Sequence, residues 1–368
     1  MDLSDFDYQL PPERIAEAPL AERDASRMML LDCVGRRWED GWFRELPERL
    51  RGNELVVVNN ARVIPARLFG RRAGVKAEPA GRKTGREFLK SVIEVLLLRR
   101  LGPDRWQVLV RPGRKIRAGE RILFDEGLES EVVGRGAYGL RELQFSSAEG
   151  LDEAIERIGH VPLPPYIHRP DQASDRERYQ TIFARVGAAA AAPTAGLHFT
   201  KRLVERLRER GIEMVELTLE VGLGTFQPIH AEKVEEHRIH REAYEVPEET
   251  AAAVARARAE GRPVLAVGTT VVRALEDAAA KFLAGCGEEK TAGPEVLAAG
   301  RAEAELYIYP GYRFRVVDQL LTNFHLPRSS LLVMVAAFAG REFLLEAYRH
   351  AVETGYRFYS YGDCMLIR

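Results

Sequence analysis

A stretch of small residues near the middle of the chain leads to a single imidazole. It comprises one glycine and five alanines at 187–192, followed by Pro193, Thr194, Ala195 and Gly196. His198 comes next but one. Small side chains let a ligand approach the backbone closely, and an imidazole can transfer a proton near neutral pH. The pattern predicts a ligand site with His198 at the start of a helix.

A second group of proton-transfer residues follows. His237, His240 and Glu242 lie close together in sequence, shortly after His230. Imidazoles and a carboxylate could bind zinc, but no thiolate or second histidine pair accompanies them, so we expect proton transfer and no metal site. A surface cluster without chemistry is the alternative.

Three further segments could recognise a polar ligand. Gly268-Thr269-Thr270 turns into a helix that carries Arg273, and free N–H groups at a helix start bind carboxylate or phosphate, although threonine capping alone would explain the motif. Asn323 and His325 lie between a strand and a helix. Asp363 lies in an aromatic segment near the C-terminus, which could equally be an ordinary turn.

Common nucleotide and hydrolase motifs are absent from the sequence. There is no Gly-x-x-x-x-Gly-Lys-Ser/Thr loop, and the run containing Gly222, Gly224 and Thr225 lacks a third glycine and continues into proline. No Gly-x-Ser-x-Gly segment is present either. These observations argue against a P-loop enzyme, an ordinary dinucleotide fold and a serine hydrolase.

The elements that must position these residues form two patterns. After Gly150, helices and strands alternate, with helices predicted at 201–210, 247–261 and 330–350 and a final strand around 356–367. Earlier, apolar runs at 28–31 and 55–58 read as buried strands. Such alternation indicates an α/β layer structure, in which ligands bind at the carboxyl ends of strands.

Between the two early strands and the alternating segment after Gly150, the sequence pattern changes to short predicted strands separated by glycine and proline turns. This pattern is typical of a small barrel. The predicted runs are 92–98, 106–110, 121–124, 131–133 and 140–145. We therefore predict a discontinuous α/β domain of residues 1–62 and 150–368, interrupted by an inserted all-β, barrel-like domain at 63–149. The segment 70–90 is predicted to lack regular structure.

Charge is distributed unevenly along the chain. The formal net charge is -1, yet residues 61–121 contain 17 Lys or Arg against five Asp or Glu. Such a segment could follow a phosphate backbone, with Arg111, Arg114 and Lys115 as contacts and Trp106 and Tyr138 as stacking groups. Solubilising charge on a small domain is the alternative interpretation.

Other features bear on the cellular compartment. The three cysteines are widely spaced, the N-terminal residues are acidic, and the longest apolar run, 331–339, is too short to cross a bilayer. A cytoplasmic protein without a membrane segment is expected.

Taken together, these segments resemble the S-adenosylmethionine:tRNA ribosyltransferase-isomerases of queuosine biosynthesis over nearly the whole chain. The resemblance rests on the blocks Arg62–Leu68, His160–Ile167, Ala192–Phe199, Val221–Phe226, Ala266–Glu276, Leu321–Pro327 and Arg357–Ile367. It implies an α/β domain interrupted by a β-barrel. It also implies transfer and isomerisation of the ribosyl part of S-adenosylmethionine onto 7-aminomethyl-7-deazaguanine at the tRNA wobble position, giving epoxyqueuosine and releasing adenine and methionine.

The resemblance also directs the choice of site residues. Proton transfer beside the sulfonium and to leaving adenine is assigned, without separating acid from base, to His198, His237, His240, Glu242 and His325. Substrate binding is assigned to Asn60, Arg62, Pro193, Thr194, Ala195, Gly196, Gly222, Gly224, Thr225, Thr269, Thr270, Arg273, Asn323 and Asp363. A monomer that binds a tRNA anticodon stem-loop, with S-adenosylmethionine as cosubstrate and no bound cofactor, is expected.

The chain departs from the family pattern at four places. They are Ala61 after Asn60, Ala188 for a glycine, Glu220 for a histidine and Ile239 for a methionine. Glu220 would change the local electrostatics if it contacted the donor. Two rival functions remain at this point: a tRNA-binding protein without turnover, and an RNA methyltransferase that uses S-adenosylmethionine.

Overall fold

The computed structural model describes residues 1–74, 92–113, 116–136, 139–147, 150–222, 229, 231–286 and 296–368. Their strands are β1 Arg27–Asp32, β2 Arg37–Trp42, β3 Leu55–Asn59, β4 Ala61–Val63, β5 Arg67–Gly74, β6 Val92–Arg100, β7 Arg105–Arg111, β8 Arg121–Phe124, β9 Glu129–Arg135, β10 Leu140–Ser146, β11 Val186–Ala189, β12 Glu213–Leu219, β13 Glu242–Val246, β14 Val264–Val267, β15 Gly300–Ala304, β16 Gln319–Asn323 and β17 Cys364–Ile367. Their α-helices are Leu46–Arg49, Leu151–Ile158, Asp175–Arg178, Lys201–Glu209, Glu248–Ala259, Thr269–Cys286, Ser330–Ala339 and Arg341–Glu353.

A nine-stranded mixed sheet organises the larger part of the chain, in the order β15-β13-β12-β3-β14-β16-β17-β1-β2. Its centre, β12-β3-β14-β16, is entirely parallel. Two of these strands, β3 and β14, are short and almost continuously apolar, as expected for strands covered on both faces. Because four consecutive strands run in one direction, their carboxyl ends meet along one edge of the sheet.

A closed six-stranded antiparallel barrel, in the order β10-β7-β6-β5-β8-β9, forms from the inserted segment. Alternate side chains point inward along each strand, such as Trp106, Val108 and Val110 on β7. Closure removes unpaired sheet edges, so a small core suffices. The α/β architecture with an inserted β-barrel, predicted from the change of sequence pattern, is confirmed.

Two connections join the barrel to the sheet. The backbones of Arg67 and His160 exchange hydrogen bonds of 2.8 and 3.2 Å where the chain enters and leaves the barrel. Farther along, Arg99 of β6 forms an ion pair of 3.0 Å with Glu303 of β15. The helix Leu151–Ile158 packs its apolar face into the barrel core, although the sequence pattern predicts it as part of the α/β domain. The exact domain boundary stays a prediction.

Most predicted elements form, and three differ. The segment 70–90 is predicted to lack regular structure, but its first residues belong to β5, which continues to Gly74 because β6 and β8 pair with it. The helix Lys201–Glu209 is capped by the Thr200 hydroxyl, which accepts a hydrogen bond from the Leu203 amide. The predicted helix at 330–350 is broken in two because Gly340 adopts a φ of 84°. The final strand is confined to Cys364–Ile367, since the preceding residues form turns that bring Tyr359 to the edge of the sheet.

Candidate functional site

A pocket opens where the parallel strands end. It contains about 530 Å³ of space between atoms, part of it open to solvent. Val221 follows β12, Gly268 follows β14, and Asn323 ends β16. The small residues Ala192 to Ala195 form another wall. The strand-end rule predicts a ligand site at this edge.

The helix Thr269–Cys286 begins in this pocket. Gly268 has a φ of +94°, and its amide donates to the Leu321 carbonyl, which lets the chain turn directly from strand to helix. Thr269 and Thr270 then line the pocket. A helix start concentrates N–H groups and positive potential, so it complements an electron-rich ligand group.

Asn323 lies on the opposite wall and is buried. Its Nδ2 donates to the Tyr359 carbonyl over 3.0 Å and to Nε2 of His198 over 3.2 Å. Rotating the amide by 180° would place its oxygen against the Tyr359 carbonyl, so these partners fix its orientation. Its Oδ1 is also buried and accepts no hydrogen bond from any described residue.

His198 does not line this pocket but lies behind Asn323. Its Nδ1 lies 2.8 Å from the Ser26 hydroxyl, and the Phe43 ring packs beside it at 5.1 Å. Burial, reinforced by Arg23 and Arg357, lowers the pKa of His198 to about 3. The imidazole is therefore neutral at pH 7. Nε2 accepts from the amide while Nδ1 donates to the serine.

His325 does line the pocket. Its Nε2 lies 2.9 Å from the Thr322 hydroxyl, and its backbone amide donates to the Tyr348 hydroxyl over 3.0 Å. Burial lowers the pKa of His325 to about 3 as well. A neutral imidazole can accept a proton or a hydrogen bond, but it cannot serve as a protonated acid at pH 7.

A second, smaller pocket adjoins the first across Thr269 and Thr270. His240, Glu242 and Arg273 line it. Glu242 is buried against Arg273, with 2.5 Å between Oε2 and Nη1. The shared threonines mean that one extended ligand could occupy both pockets.

The guanidinium group of Arg273 donates its hydrogen bonds mainly to groups of the protein itself. Besides Glu242, it donates to the backbone carbonyls of His240, Ala304 and Leu306. Glu242 also accepts from the Gly222 amide over 3.0 Å. This network ties the start of the helix to β13 and β15, so Arg273 supports the shape of the site.

The remaining predicted residues are placed elsewhere or lie outside the described part. Asn60 binds Glu216 and Thr218, Arg62 pairs with Glu156, Gly196 packs on Thr181, His237 lies against Tyr307, and Asp363 accepts from the amides of Arg27 and Arg357. Gly224, Thr225, Arg114, Lys115 and most of the segment 70–90 are not among the described residues. The structure therefore brings together Pro193, Thr194, Ala195, Thr269, Thr270, Asn323 and His325, with His240, Glu242 and Arg273 adjoining.

Sequence reasoning did not assign two aromatic residues to this site. Tyr166 and Tyr359 both line the pocket, and their ring centroids lie 3.8 Å apart. Tyr359 has a φ of 75°, a conformation that is costly for a residue with a side chain. Each tyrosine lies in one of the blocks that carry the family resemblance, which was the available signal.

The basic segment is less cationic at its surface than its composition predicts. Ion pairs with carboxylates occupy Arg62, Arg67, Arg72, Arg99, Arg100, Arg105 and Arg121. Three other arginines there, Arg71, Arg111 and Arg117, are exposed and form no ion pair with a described residue. Arg71 lies opposite Val92 and Arg111 opposite Glu94, so both are near the amino end of β6.

The prediction that Trp106 stacks on a base is wrong. Its side chain is buried in the barrel core, packed among inward-facing side chains of the closed sheet. Alternation along β7 turns this residue inward. Tyr138 lies outside the described residues.

The fold and site define an α/β protein with an inserted β-barrel and a polar pocket at the ends of parallel strands. A profile of the family described as Queuosine biosynthesis protein matches residues 3–367. The chain belongs to this family.

Individual relatives agree along their full lengths. The chain is 52% identical to the S-adenosylmethionine:tRNA ribosyltransferase-isomerase of Solibacter usitatus and 50% identical to that of Geobacter metallireducens, with 100% of each chain covered. It is also similar to the crystal structure of S-adenosylmethionine tRNA ribosyltransferase from Thermotoga maritima. That similarity has 37% identity and a TM-score of 0.53, covering 99% of this chain and 100% of that one.

The described residues contain neither a membrane-spanning helix nor a metal-binding cluster. None of their helices is long and apolar enough to cross a membrane. No three of their His, Cys, Asp or Glu side chains are grouped so that they could hold a metal ion.

Proposed function

We propose that this chain is an S-adenosylmethionine:tRNA ribosyltransferase-isomerase whose donor site is the strand-end pocket. The observation that carries the proposal is full-length identity of about half to relatives that bear this name. The pocket adds support because it combines aromatic, hydroxyl, amide and imidazole groups on rigid strand and helix ends.

At finer detail, we propose the reaction that the family resemblance implies. The ribosyl part of the donor is transferred to the amine of 7-aminomethyl-7-deazaguanine at the wobble position of tRNA, and adenine and methionine leave. His325 is the proposed base for the proton beside the sulfonium, since it lines the pocket and is neutral at pH 7. The adjoining pocket, which His240 and Glu242 line, is assigned to the methionyl part of the donor.

The first test is the reaction itself. Purified protein, S-adenosylmethionine and tRNA carrying the 7-aminomethyl-7-deazaguanine base should yield free adenine and a tRNA with the mass of the epoxyqueuosine product. Liquid chromatography with mass spectrometry measures both. Replacing His325 with Gln should lower kcat by ~100-fold, the usual contribution of a positioned base.

Several outcomes would contradict the proposal. Transfer of a labelled methyl group to the RNA would indicate a methyltransferase, and tRNA binding without adenine release would indicate a binding protein. Full turnover by the His325→Gln variant would remove this residue from the proton-transfer step.

We also propose that tRNA contacts the basic end of the barrel through its anticodon stem-loop. Arg71, Arg111 and Arg117 support this assignment, because their guanidinium groups are not neutralised by a described carboxylate. Arg114 and Lys115 are included as predicted from sequence. The protein is proposed to act as a monomer in the cytoplasm, which light scattering and localisation of a tagged chain would test.

Charge reversal tests the RNA surface. Changing Arg111, Arg114 and Lys115 to Glu should weaken tRNA binding and lower the slope of log Kd against log salt by ~2–3, since each lost phosphate contact removes ~0.7–0.9 of a released counterion. Fluorescence anisotropy at several salt concentrations measures this slope.

A matched triple reversal gives the control. Lys201, Arg202 and Arg208 are exposed on a helix of the α/β domain, so their reversal changes the net charge equally. If both triple variants weaken binding alike, the effect is one of net charge and the barrel end is not the RNA surface.

A further inference from the structure

Asn323 lines the pocket and carries one acceptor atom without a partner among the described residues. Asn323 Oδ1 is buried and has no hydrogen-bond donor among the described residues. Leaving such an acceptor unpaired costs free energy, which a ligand that donates an N–H or O–H would recover. The unpaired oxygen therefore indicates a ligand group that donates a hydrogen bond.

The amide can act only as an acceptor towards a ligand. Both hydrogens of Nδ2 are committed, one to the Tyr359 carbonyl at 3.0 Å and one to His198 Nε2 at 3.2 Å. His198 is held in turn by Ser26, whose hydroxyl lies 2.8 Å from Nδ1 and 3.3 Å from the Arg23 carbonyl. This chain of hydrogen bonds holds Nδ2 towards Tyr359 and His198, so Oδ1 is the amide atom left to accept from a ligand.

The surroundings favour a neutral aromatic donor over a charged one. None of the described side chains that line this pocket is a carboxylate, an arginine or a lysine, and His325 is neutral. An ammonium group buried there would lack a counter-charge. Tyr166 and Tyr359 supply aromatic surface beside the amide, which suits a flat heterocycle.

We propose that Asn323 Oδ1 accepts a hydrogen bond from the 6-amino group of the donor's adenine, and that His198 is the positioning residue that aims this amide. The inference rests on the proposed function, because it names the part of S-adenosylmethionine held by this pocket. The charged methionyl part then lies towards the adjoining pocket, where Arg273 and Glu242 are found.

Free purines test the idea without any variant. Adenine, purine and hypoxanthine should inhibit the wild-type enzyme in that order of strength. Purine lacks the amino group, and hypoxanthine turns a carbonyl oxygen towards Oδ1. We expect adenine to bind at least ~10-fold more tightly than hypoxanthine, the scale of one buried hydrogen bond. Equal inhibition by all three in an enzyme that forms product overturns the inference and leaves the proposed function standing.

Variants of Asn323 and His198 distinguish a positioning role of His198 from a role in proton transfer. Asn323→Ala should reduce the ratio of hypoxanthine to adenine inhibition constants to within ~2-fold. His198→Ala should reduce the same ratio while the pH profile of kcat loses no ionisation, and His198→Gln, whose side chain can still accept from Nδ2, should restore part of it. A fall of ~100-fold in kcat for His198→Ala with an unchanged purine ratio would make His198 a catalytic base and overturn the positioning role.

The same strand offers a matched control. Gln319 begins β16, is buried, and also has an amide oxygen without a partner among the described residues. It lies at the end of the strand away from the pocket. Gln319→Ala should alter the melting temperature but leave the purine ratio at the wild-type value. A changed ratio in this control would show that the ratio reports general loosening of β16, which would also overturn the inference.

Discussion

The Arg273→Ala variant should lose ~3–5 kcal/mol of unfolding free energy, the usual cost of removing one partner of a buried ion pair. The guanidinium and the Glu242 carboxylate are each 5% exposed and lie 2.5 Å apart. Removing the arginine takes away the cation that pairs with the buried Glu242 carboxylate and deprives the carbonyls of His240 and Ala304 of a donor. Urea unfolding followed by circular dichroism measures the loss.

A neighbouring exposed pair provides the comparison. Arg301 and Glu245 also bridge β13 and β15, but the Arg301 side chain is 81% exposed. Arg301→Ala should cost at most ~1 kcal/mol because water already screens the pair. A double variant, Arg273→Met with Glu242→Leu, should recover part of the loss by removing both charges. If Arg273→Ala were no worse than Arg301→Ala, the network would not stabilise the site.

Acid should destabilise the protein before the carboxyl groups with lowered pKa values, such as Asp40 and Asp175, titrate. His198 and His325 have pKa values of about 3 when folded and about 6.5 when unfolded. The unfolded chain therefore binds more protons between these values, so stability is complete above pH 6.5 and falls as the pH drops towards 3. At pH 5 the two histidines should together cost ~4 kcal/mol. Urea midpoints at pH 7.5 and pH 5 measure the difference.

Between pH 6.5 and 5, the predicted loss of unfolding free energy comes from the two histidines and not from the paired carboxyl groups. Hydrogen bonds and ion pairs lower the pKa values of Asp40 and Asp175 below 3.8, so both groups act only at lower pH. The His198→Gln/His325→Gln double variant should be less stable at pH 7.5 yet lose much less between pH 7.5 and 5. A double variant with the wild-type pH slope would show that other groups carry the acid effect.

The position of the site was predictable in part. Asn323 ends a strand, Thr269 and Thr270 come one and two residues after the glycine that follows the apolar run 264–267, and parallel strands gather their carboxyl ends at one edge. The pairing of distant segments was not predictable. Tyr166 and Tyr359 are 193 positions apart, and only the turns before β17 bring their rings together.

The roles of individual residues were harder to predict than their location. His198, Arg273 and Asp363 are residue types that carry chemistry, yet each is buried and bonded to the protein scaffold. Sequence gives the chemical nature of a side chain but not its solvation. Burial changes the protonation of an imidazole and decides whether a guanidinium has donors left for a ligand.

The sequence by itself determined the class of fold, the inserted barrel, the family and the edge of the sheet where the candidate pocket opens. Those properties follow from local patterns of apolar residues and from ordered blocks along the chain. Tertiary structure alone decided which groups line the pocket, that Trp106 is core, and that most of the described barrel arginines pair with carboxylates. These outcomes depend on contacts between residues far apart in sequence, where burial and partner distance set charge and hydrogen bonding.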